Sequence, residues 1–185
     1  LEDLQKIARD EEIHESRLIE LIDEEGLNYM SSVVLGLNDA LVEFTGALAG
    51  YTFALQHAKL VALTGAITGI AAALSMAASE YLSTRTENNV HKNALKAAVY
   101  TGIAYVITVV VLILPFVLLS NVYWGLGVCL FGALVIIAIF NYYYSIVKTE
   151  SFRHRFTEMA IISIGIAAIS FLIGYALRVF TGIEL

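Results

Sequence analysis

The sequence is poor in charged residues, in cysteine and in proline. Of 185 residues, 15% are charged and 58% are hydrophobic, and Cys129 and Pro115 are the only residues of their types. A single cysteine excludes an intrachain disulfide. So little charge excludes a soluble domain with a wetted surface, because such a domain interleaves charged residues with its apolar ones. We therefore expect lipid to be the solvent for most of the chain.

Two long segments contain no charged residue at all. Lys, Arg, Asp and Glu are all missing from residues 99–119 and from residues 122–140. A membrane-spanning helix needs about 20 predominantly apolar residues, and five stretches of the sequence are long enough. The pattern predicts an all-α, polytopic membrane protein. Its five transmembrane helices are expected at roughly residues 30–55, 60–84, 96–119, 122–147 and 157–182.

The basic residues predict the orientation of these spans. Five spans place the termini on opposite sides of the membrane. Nine of the eleven Lys and Arg residues precede the first span or lie in the loops after the second and fourth spans. Only Lys59 and Arg178 fall on the other side. The positive-inside rule therefore predicts a cytoplasmic N-terminus and an extracytoplasmic C-terminus.

The N-terminal segment differs in kind from the rest. Residues 1–25 carry ten acidic and three basic side chains, and apolar residues at helical spacing predict a cytoplasmic amphipathic helix. We assign residues 1–26 to this acidic helix and residues 27–185 to the transmembrane domain. An acidic segment repels nucleic acid and attracts cations, so we expect no nucleic-acid partner. No basic, apolar leader opens the sequence, so no signal peptide is expected.

Two acidic residues interrupt the first predicted span. Asp39 and Glu43 are one helical turn apart, so their carboxylates share one face of the helix. An ionisable side chain at mid-bilayer costs at least about 2.5–3.5 kcal/mol on insertion scales, so the pair requires a partner or a water-filled path. No Lys or Arg lies in the central part of any span to supply that partner. We therefore predict that Asp39 and Glu43 face a path for cations.

The second predicted span carries a stripe of small and polar residues on one face. Met76 and Asp39 both lie about 13 Å inside the cytoplasmic boundary. Glu80 lies about 7 Å and Glu43 about 20 Å inside it, which gives a ladder of acceptors through the membrane. Carboxylates suit divalent metals, and a thioether favours Fe²⁺ over Mg²⁺ or Ca²⁺, although Met76 could also simply fill space. The stripe consists of Gly65, Gly69, Ala72, Met76, Glu80 and Ser83.

Four glycines accompany the polar residues of the first two spans. Gly46 and Gly50 follow Asp39, and Gly65 and Gly69 precede Met76, at spacings that let helices approach backbone to backbone. Close helix contact is the simplest interpretation of these glycines. Because the same stripes carry the polar residues, we expect the contact and the ion path to share one surface, built by two copies of the chain.

Two motifs resemble a known family. Residues 36–40 read GLNDA and residues 75–81 read SMAASEY, and both are similar to motifs of the vacuolar iron transporter family. The resemblance covers residues 29–185 and implies a homodimer that exports Fe²⁺, often also Mn²⁺, from the cytosol in exchange for protons. It also implies metal roles for Asp39 and Met76, with Glu43 and Glu80 as further path residues. A prokaryotic cell membrane is the expected location.

One feature departs from the plant and protist members of that family. They carry a long Glu-rich, metal-binding insertion after the second span, whereas about ten residues, 85–95, join the spans here. Residues 8–14 resemble the last helix of a rubrerythrin or ferritin-like domain, in which Glu-x-x-His supplies metal ligands. The resemblance implies cytoplasmic metal capture, and the alternative is a solvated acidic face. The candidate capture residues are Glu11, Glu12, His14 and Glu15.

Three functions remain open from the sequence. The leading hypothesis is a proton-coupled exporter of Fe²⁺ or Mn²⁺ that has no permanently bound cofactor and no enzymatic activity. The second is a membrane-anchored ferroxidase or iron-storage accessory, although one Glu-x-x-His motif cannot complete a di-iron centre. The third is a passive cation channel or proton relay.

Overall fold

Five long helices make up the described part of the chain. The structure is a computed structural model that describes residues 29–86, 92–148 and 151–181, and these ranges contain no β-strand. Each helix is long and apolar enough to cross a membrane, so the predicted all-α membrane fold is confirmed. The predicted N-terminal helix and its capture residues Glu11, Glu12, His14 and Glu15 lie outside the described residues. The helices are α1 Met30–Leu55, α2 Ala58–Thr86, α3 Ala94–Leu118, α4 Val122–Lys148 and α5 Phe152–Thr181.

The helices run slightly beyond the predicted apolar stretches. The largest difference is at α5, which begins at Phe152 instead of residue 157. Arg153, His154 and Arg155 interrupt the apolar run but not the helix, because helical hydrogen bonds continue wherever charged side chains can reach the polar interface. Counting apolar residues therefore finds the lipid-embedded part of a helix and underestimates its length.

Local side-chain chemistry sets the ends of two helices. Asn93 caps α3, and its side-chain oxygen accepts hydrogen bonds from the backbone N–H groups of Leu95 and Lys96. At the end of α1, Gln56 adopts a left-handed conformation with φ of 49°. Its N–H donates to the Thr52 carbonyl, which completes the last turn. These two ends produce a short turn between α1 and α2 and a defined start for α3.

Helix α1 lies at the centre of the bundle and contacts all four other helices. It is the least apolar of the five spans and also the most buried. Thr45 and Thr52 on this helix are fully buried, and Thr52 donates to the carbonyl of Leu48 at 2.7 Å. A polar helix gains most from leaving lipid, because its hydroxyl and carboxylate groups find partners only among other protein groups or water. The central position of α1 thus follows from its composition.

Glycines bring α5 into backbone contact with α1. A Cβ atom on Gly46 would collide with the side chain of Ile166, and one on Gly50 would lie 3.1 Å from the carbonyl oxygen of Ser170. A Cβ atom on Gly174 would overlap the carbonyl oxygen of Gly50. Small residues permit such close approach of membrane helices. The contact predicted for Gly46 and Gly50 is therefore made inside one chain.

The glycines of α2 also face the interior of the same chain. A Cβ atom on Gly65 would lie 2.8 Å from the Leu48 side chain of α1. One on Gly69 would meet Val109 of α3, and would lie 3.1 Å from Phe44 of α1. The glycine faces are thus occupied by α1, α3 and α5. This differs from the expectation that the glycine contact and the ion path share one surface between two copies.

We expect Gly174→Ala to destabilise the protein. The new methyl group has no space beside the Gly50 carbonyl, and overfilling a close-packed contact costs about 1–3 kcal/mol. Gly165→Ala on the same helix is the matched control, because a Cβ atom there meets nothing within 4 Å. Replacing glycine in a helix favours folding by roughly 1 kcal/mol, so the control is expected to be neutral or stabilising. Thermal midpoints in detergent check this, and equal midpoints for the two variants would contradict the assigned contact.

Candidate metal path

Helix α1 is irregular where it carries its acidic residues. Residues Ala40–Phe44 form a π-helical segment that starts directly after Asp39 and contains Glu43. Such segments hold one extra residue per turn and occur frequently at functional sites. The buried hydroxyl of Ser163 on α5 donates a 2.6 Å hydrogen bond to the carbonyl of Leu41 inside the segment. This bond helps fix α1 in the irregular conformation.

The carboxylates of Asp39 and Glu43 face each other. They are close enough for their charges to interact and for a hydrogen bond to join them. Asp39 is half-buried, and Glu43 is exposed on the surface of the single chain. Within the described ranges no Lys, Arg or His forms an ion pair with either residue. Arg178, near the end of α5, does not form an ion pair with Glu43.

The two carboxylates are like charges at short range, so they repel each other. Within the described residues no basic side chain forms an ion pair with either of them. A cation bound between their oxygens would offset this repulsion.

Three buried polar atoms have no hydrogen-bond partner among the described residues. They are Asn38 Oδ1, Thr45 Oγ1 and the Tyr105 hydroxyl. Buried polar atoms of this kind are usually satisfied by water or an ion. Tyr105 is fully buried on α3 and interacts electrostatically with both Asp39 and Glu43, so its hydroxyl is the one of the three that lies near the carboxylate pair.

Tyr105 was missed by the sequence analysis. A lone tyrosine in an apolar span is usually a core or interface residue, so it gives no signal by itself. The spacing of its polar neighbours gives a weak sequence signal, because one face of the helix carries Thr101, Tyr105 and Thr108. All three side chains are buried in the structure. A polar stripe on α3 facing the polar centre of α1 was therefore present in the sequence.

Two hydrogen bonds between α1 and α2 limit which residues lie opposite Asp39. Ser32 bonds Glu80 at 2.6 Å near one end of the pair, and Tyr51 bonds Thr68 at 3.1 Å near the other. Counting along the antiparallel helices from the first bond places Asp39 level with residue 73, and counting from the second places it level with residue 80. Met76 lies within this window, which spans about 10 Å along the helix axis. The shared level of Asp39 and Met76 stays a prediction.

The Met76 side chain is half-buried and packs against the apolar core. Its thioether is partly accessible, so it can fill space in the core and also contact an ion between α1 and α2. Space filling, the simpler role, is visible in the structure. A metal role depends on the neighbouring carboxylates.

Glu80 has a different environment, in which a protein cation is present. Its carboxylate is buried and forms an ion pair with Lys92 at 2.9 Å. The same oxygen, Oε1, accepts hydrogen bonds from Ser32 at 2.6 Å and from Thr84 at 3.4 Å. From the sequence, Lys92 served only as a topology signal, and its pairing with Glu80 was not predicted. Glu80 is therefore charge-compensated within the chain, whereas Asp39 and Glu43 have no such cation among the described residues.

The residues before α3 close the same end of the bundle. Lys92 also reaches the hydroxyl of Ser31 at 3.3 Å. The backbone N–H of Asn93 donates to the Tyr29 hydroxyl at 2.9 Å, and the Tyr29 ring stacks on Tyr100 with centroids 5.2 Å apart. These contacts join the starts of α1 and α3 to the end of α2. They form a cap over the end of the bundle that carries Glu80.

The described residues of one chain do not supply a complete chelating site. In the ranges that the structure describes, no three His, Cys, Asp or Glu side chains come together. A cavity of about 620 Å³ lies elsewhere, between α2 and α3, and its walls are apolar. Such a cavity suits a lipid chain rather than an ion, because hard cations require oxygen ligands. The candidate path is therefore limited to Asp39, Glu43, Met76 and Glu80, of which the structure pairs the first two.

We expect Ser163→Ala to destabilise the π-helical segment. Removing the donor to Leu41 weakens a buried hydrogen bond, which costs about 1–3 kcal/mol when the acceptor is left unpaired. Thr157→Ala is the control on the same helix, since that exposed hydroxyl bonds only the Arg153 carbonyl of its own helix. Thermal unfolding and hydrogen exchange across residues 39–45 measure the effect. Unchanged exchange in Ser163→Ala would show that the bond does not hold the segment.

Comparison with known families agrees with the residues at this site. The model of the VIT family matches residues 30–95, which hold α1, α2 and all four residues of the candidate path. The match confirms the resemblance to the vacuolar iron transporters. No curated protein matches the chain.

Proposed function

We propose that this chain belongs to the vacuolar iron transporter family and moves Fe²⁺ or Mn²⁺ out of the cytosol in exchange for protons. Its five apolar helices and the match of the VIT family model to residues 30–95 support a membrane protein that transports metal ions. The observation that carries the finer proposal is the pair of facing carboxylates, Asp39 and Glu43, which has no basic partner among the described residues. A group that binds either a metal or a proton couples the movement of one to the other.

The order of the polar residues supports a route across the membrane. Glu80 lies near the end of α2 beside the basic loop that predicts the cytoplasmic side. Asp39 and Met76 are level with each other nearer the middle, and Glu43 follows one turn further along α1. We propose that the metal passes Glu80, binds at Asp39 and Met76, and leaves past Glu43. Oxygen and thioether ligands together favour Fe²⁺ or a later metal over Mg²⁺ or Ca²⁺.

Exposure of the acidic face supports a homodimer. Ser31, Leu35 and Glu43 are exposed and lie at intervals of four or eight residues, so they share one face of α1 with Asp39. A carboxylate facing hydrocarbon is unfavourable, and a second copy related by a two-fold axis would cover it. The same axis would bring a second set of ligands to the pair, which a single chain lacks among its described residues.

Asp39→Asn is expected to abolish metal transport. The amide has nearly the same shape but cannot exchange a proton for a metal ion, so Mn²⁺ flux into proteoliposomes should fall by at least about 100-fold, to background. Glu158→Gln is the control, because this exposed carboxylate lies near the start of α5 and forms no ion pair with another described residue. Flux at the wild-type rate in a correctly folded Asp39→Asn protein would refute the role of the pair.

The coupling is tested separately from the site. Mn²⁺ flux by the wild-type protein is expected to rise when protons flow down their gradient in the direction opposite to that of the metal. It is expected to fall when the proton gradient is collapsed. Flux that ignores the gradient would favour a passive channel. Oxygen-dependent Fe²⁺ oxidation without flux would favour the ferroxidase function.

Disulfide trapping tests the proposed dimer surface. In a Cys129→Ser background, Leu35→Cys places a thiol on the exposed face of α1, and we expect it to form a disulfide with its copy in native membranes. Val99→Cys is the control, because Val99 is similarly exposed near the same end of the bundle but lies on α3. Equal cross-linking at both positions, or none at residue 35, would contradict an interface along α1.

A further inference from the structure

The ion pair between Lys92 and Glu80 is nearly buried. The Lys92 side chain is 15% exposed and that of Glu80 is 7% exposed. Burying two charges costs desolvation free energy that their attraction does not always recover, so such a pair is weak support for a purely stabilising role. Glu80 is also the first carboxylate on the proposed metal route. We therefore interpret the ion pair by its effect on ion passage.

The geometry leaves Glu80 able to accept another cation. The hydrogen bonds that it receives from Lys92, Ser32 and Thr84 all go to Oε1. The hydroxyls of Ser32 and Thr84 hold the carboxylate in place whether or not the ammonium group is present. Within the described residues no hydrogen bond goes to Oε2. A cation that replaces the ammonium group would thus meet a carboxylate that is already oriented.

Lys92 is placed so that it can leave without a movement of the helices. It belongs to the two residues before α3, whereas Glu80 and its other partners belong to α1 and α2. A lysine side chain has a flexible four-carbon stem, so its ammonium group can swing away while Asn93 keeps α3 capped. The ion pair can therefore open by rotation of one side chain.

We propose that Lys92 is a tethered counter-ion that occupies Glu80 between transport events and selects for divalent cations. The proposal rests on the proposed function, in which Glu80 lies on the metal route. A divalent ion gains about twice the Coulomb energy of the ammonium group at the same carboxylate, so it can displace Lys92. A monovalent ion only matches that charge, and it competes with a group held at high effective concentration by its tether. Lys92 thus excludes K⁺ and Na⁺ from the mouth of the path.

The test is a kinetic comparison in proteoliposomes. Initial rates of Mn²⁺ flux are measured from the side that carries Lys92, with K⁺ or with choline as the bulk cation. Lys92→Met removes the charge and keeps most of the side-chain length, Lys92→Arg keeps the charge, and Arg85→Gln is the control. Arg85 is an exposed cation at the same end of α2, and its hydrogen bond goes to Tyr81 instead of Glu80.

The expected changes have opposite signs in the two Lys92 variants. Lys92→Met should lower the KM for Mn²⁺ by about tenfold, a common size for coupling between two ligands, and should make the flux sensitive to K⁺. Lys92→Arg should raise the KM, because a guanidinium group binds a carboxylate more strongly through two parallel bonds. Arg85→Gln should change neither quantity, which excludes a general effect of surface charge.

Two results would overturn the assignment. The first is a KM that is unchanged or raised in Lys92→Met, with flux still insensitive to K⁺, because the ion pair would then only join α2 to α3. The second result matters if Lys92→Met does not fold. In that case a wild-type KM in Lys92→Arg would contradict the assignment. Absence of Mn²⁺ flux in the wild-type protein would instead refute the proposed function, and the two failures are therefore distinguishable.

Discussion

The free energy of holding a carboxylate inside a bilayer governs this structure. The carboxylates of α1 and α2 lie in two different arrangements. Glu80 receives a lysine and two hydroxyls on one oxygen, and it is thereby neutralised within the chain. Asp39 and Glu43 receive no cation from the described residues and have only each other. The first carboxylate is thus compensated inside the chain, whereas the second pair has no compensating cation among the described residues.

The position and the shape of α1 follow from the same constraint. As the least apolar span, it contacts all four other helices, and glycines allow α5 to approach it closely at Gly46 and Gly50. The π-helical segment follows Asp39 and contains Glu43, and the unpartnered hydroxyl of Tyr105 interacts with both residues. Irregular backbone and unpaired polar groups are unfavourable in a membrane unless they border water or an ion. Their concentration at one place supports a polar centre there.

Much of the fold could be predicted from the sequence, because the bilayer imposes a simple rule on length and polarity. Long apolar stretches identified five spans, and the helices extend beyond them where basic residues reach the interface, as at the start of α5. Asp39 and Glu43 stood out for the same reason. The partners of Glu80 and of the glycines could not be predicted, because they depend on which helices become neighbours. The π-helical segment has no composition of its own, since residues 40–44 contain neither proline nor glycine.

The contact between α1 and α5 also restricts changes in the number of residues in α1. Loss of one residue between Ala40 and Phe44 could be absorbed by a return to an ordinary α-helix, whereas loss of one residue from the regular helix before this segment would turn everything beyond it by about 100°. Gly46 and Gly50 would then point away from α5, and bulkier neighbours would take their place. Homologous chains are therefore expected to vary in residue type here far more readily than in residue number, and insertions or deletions should collect in the loops.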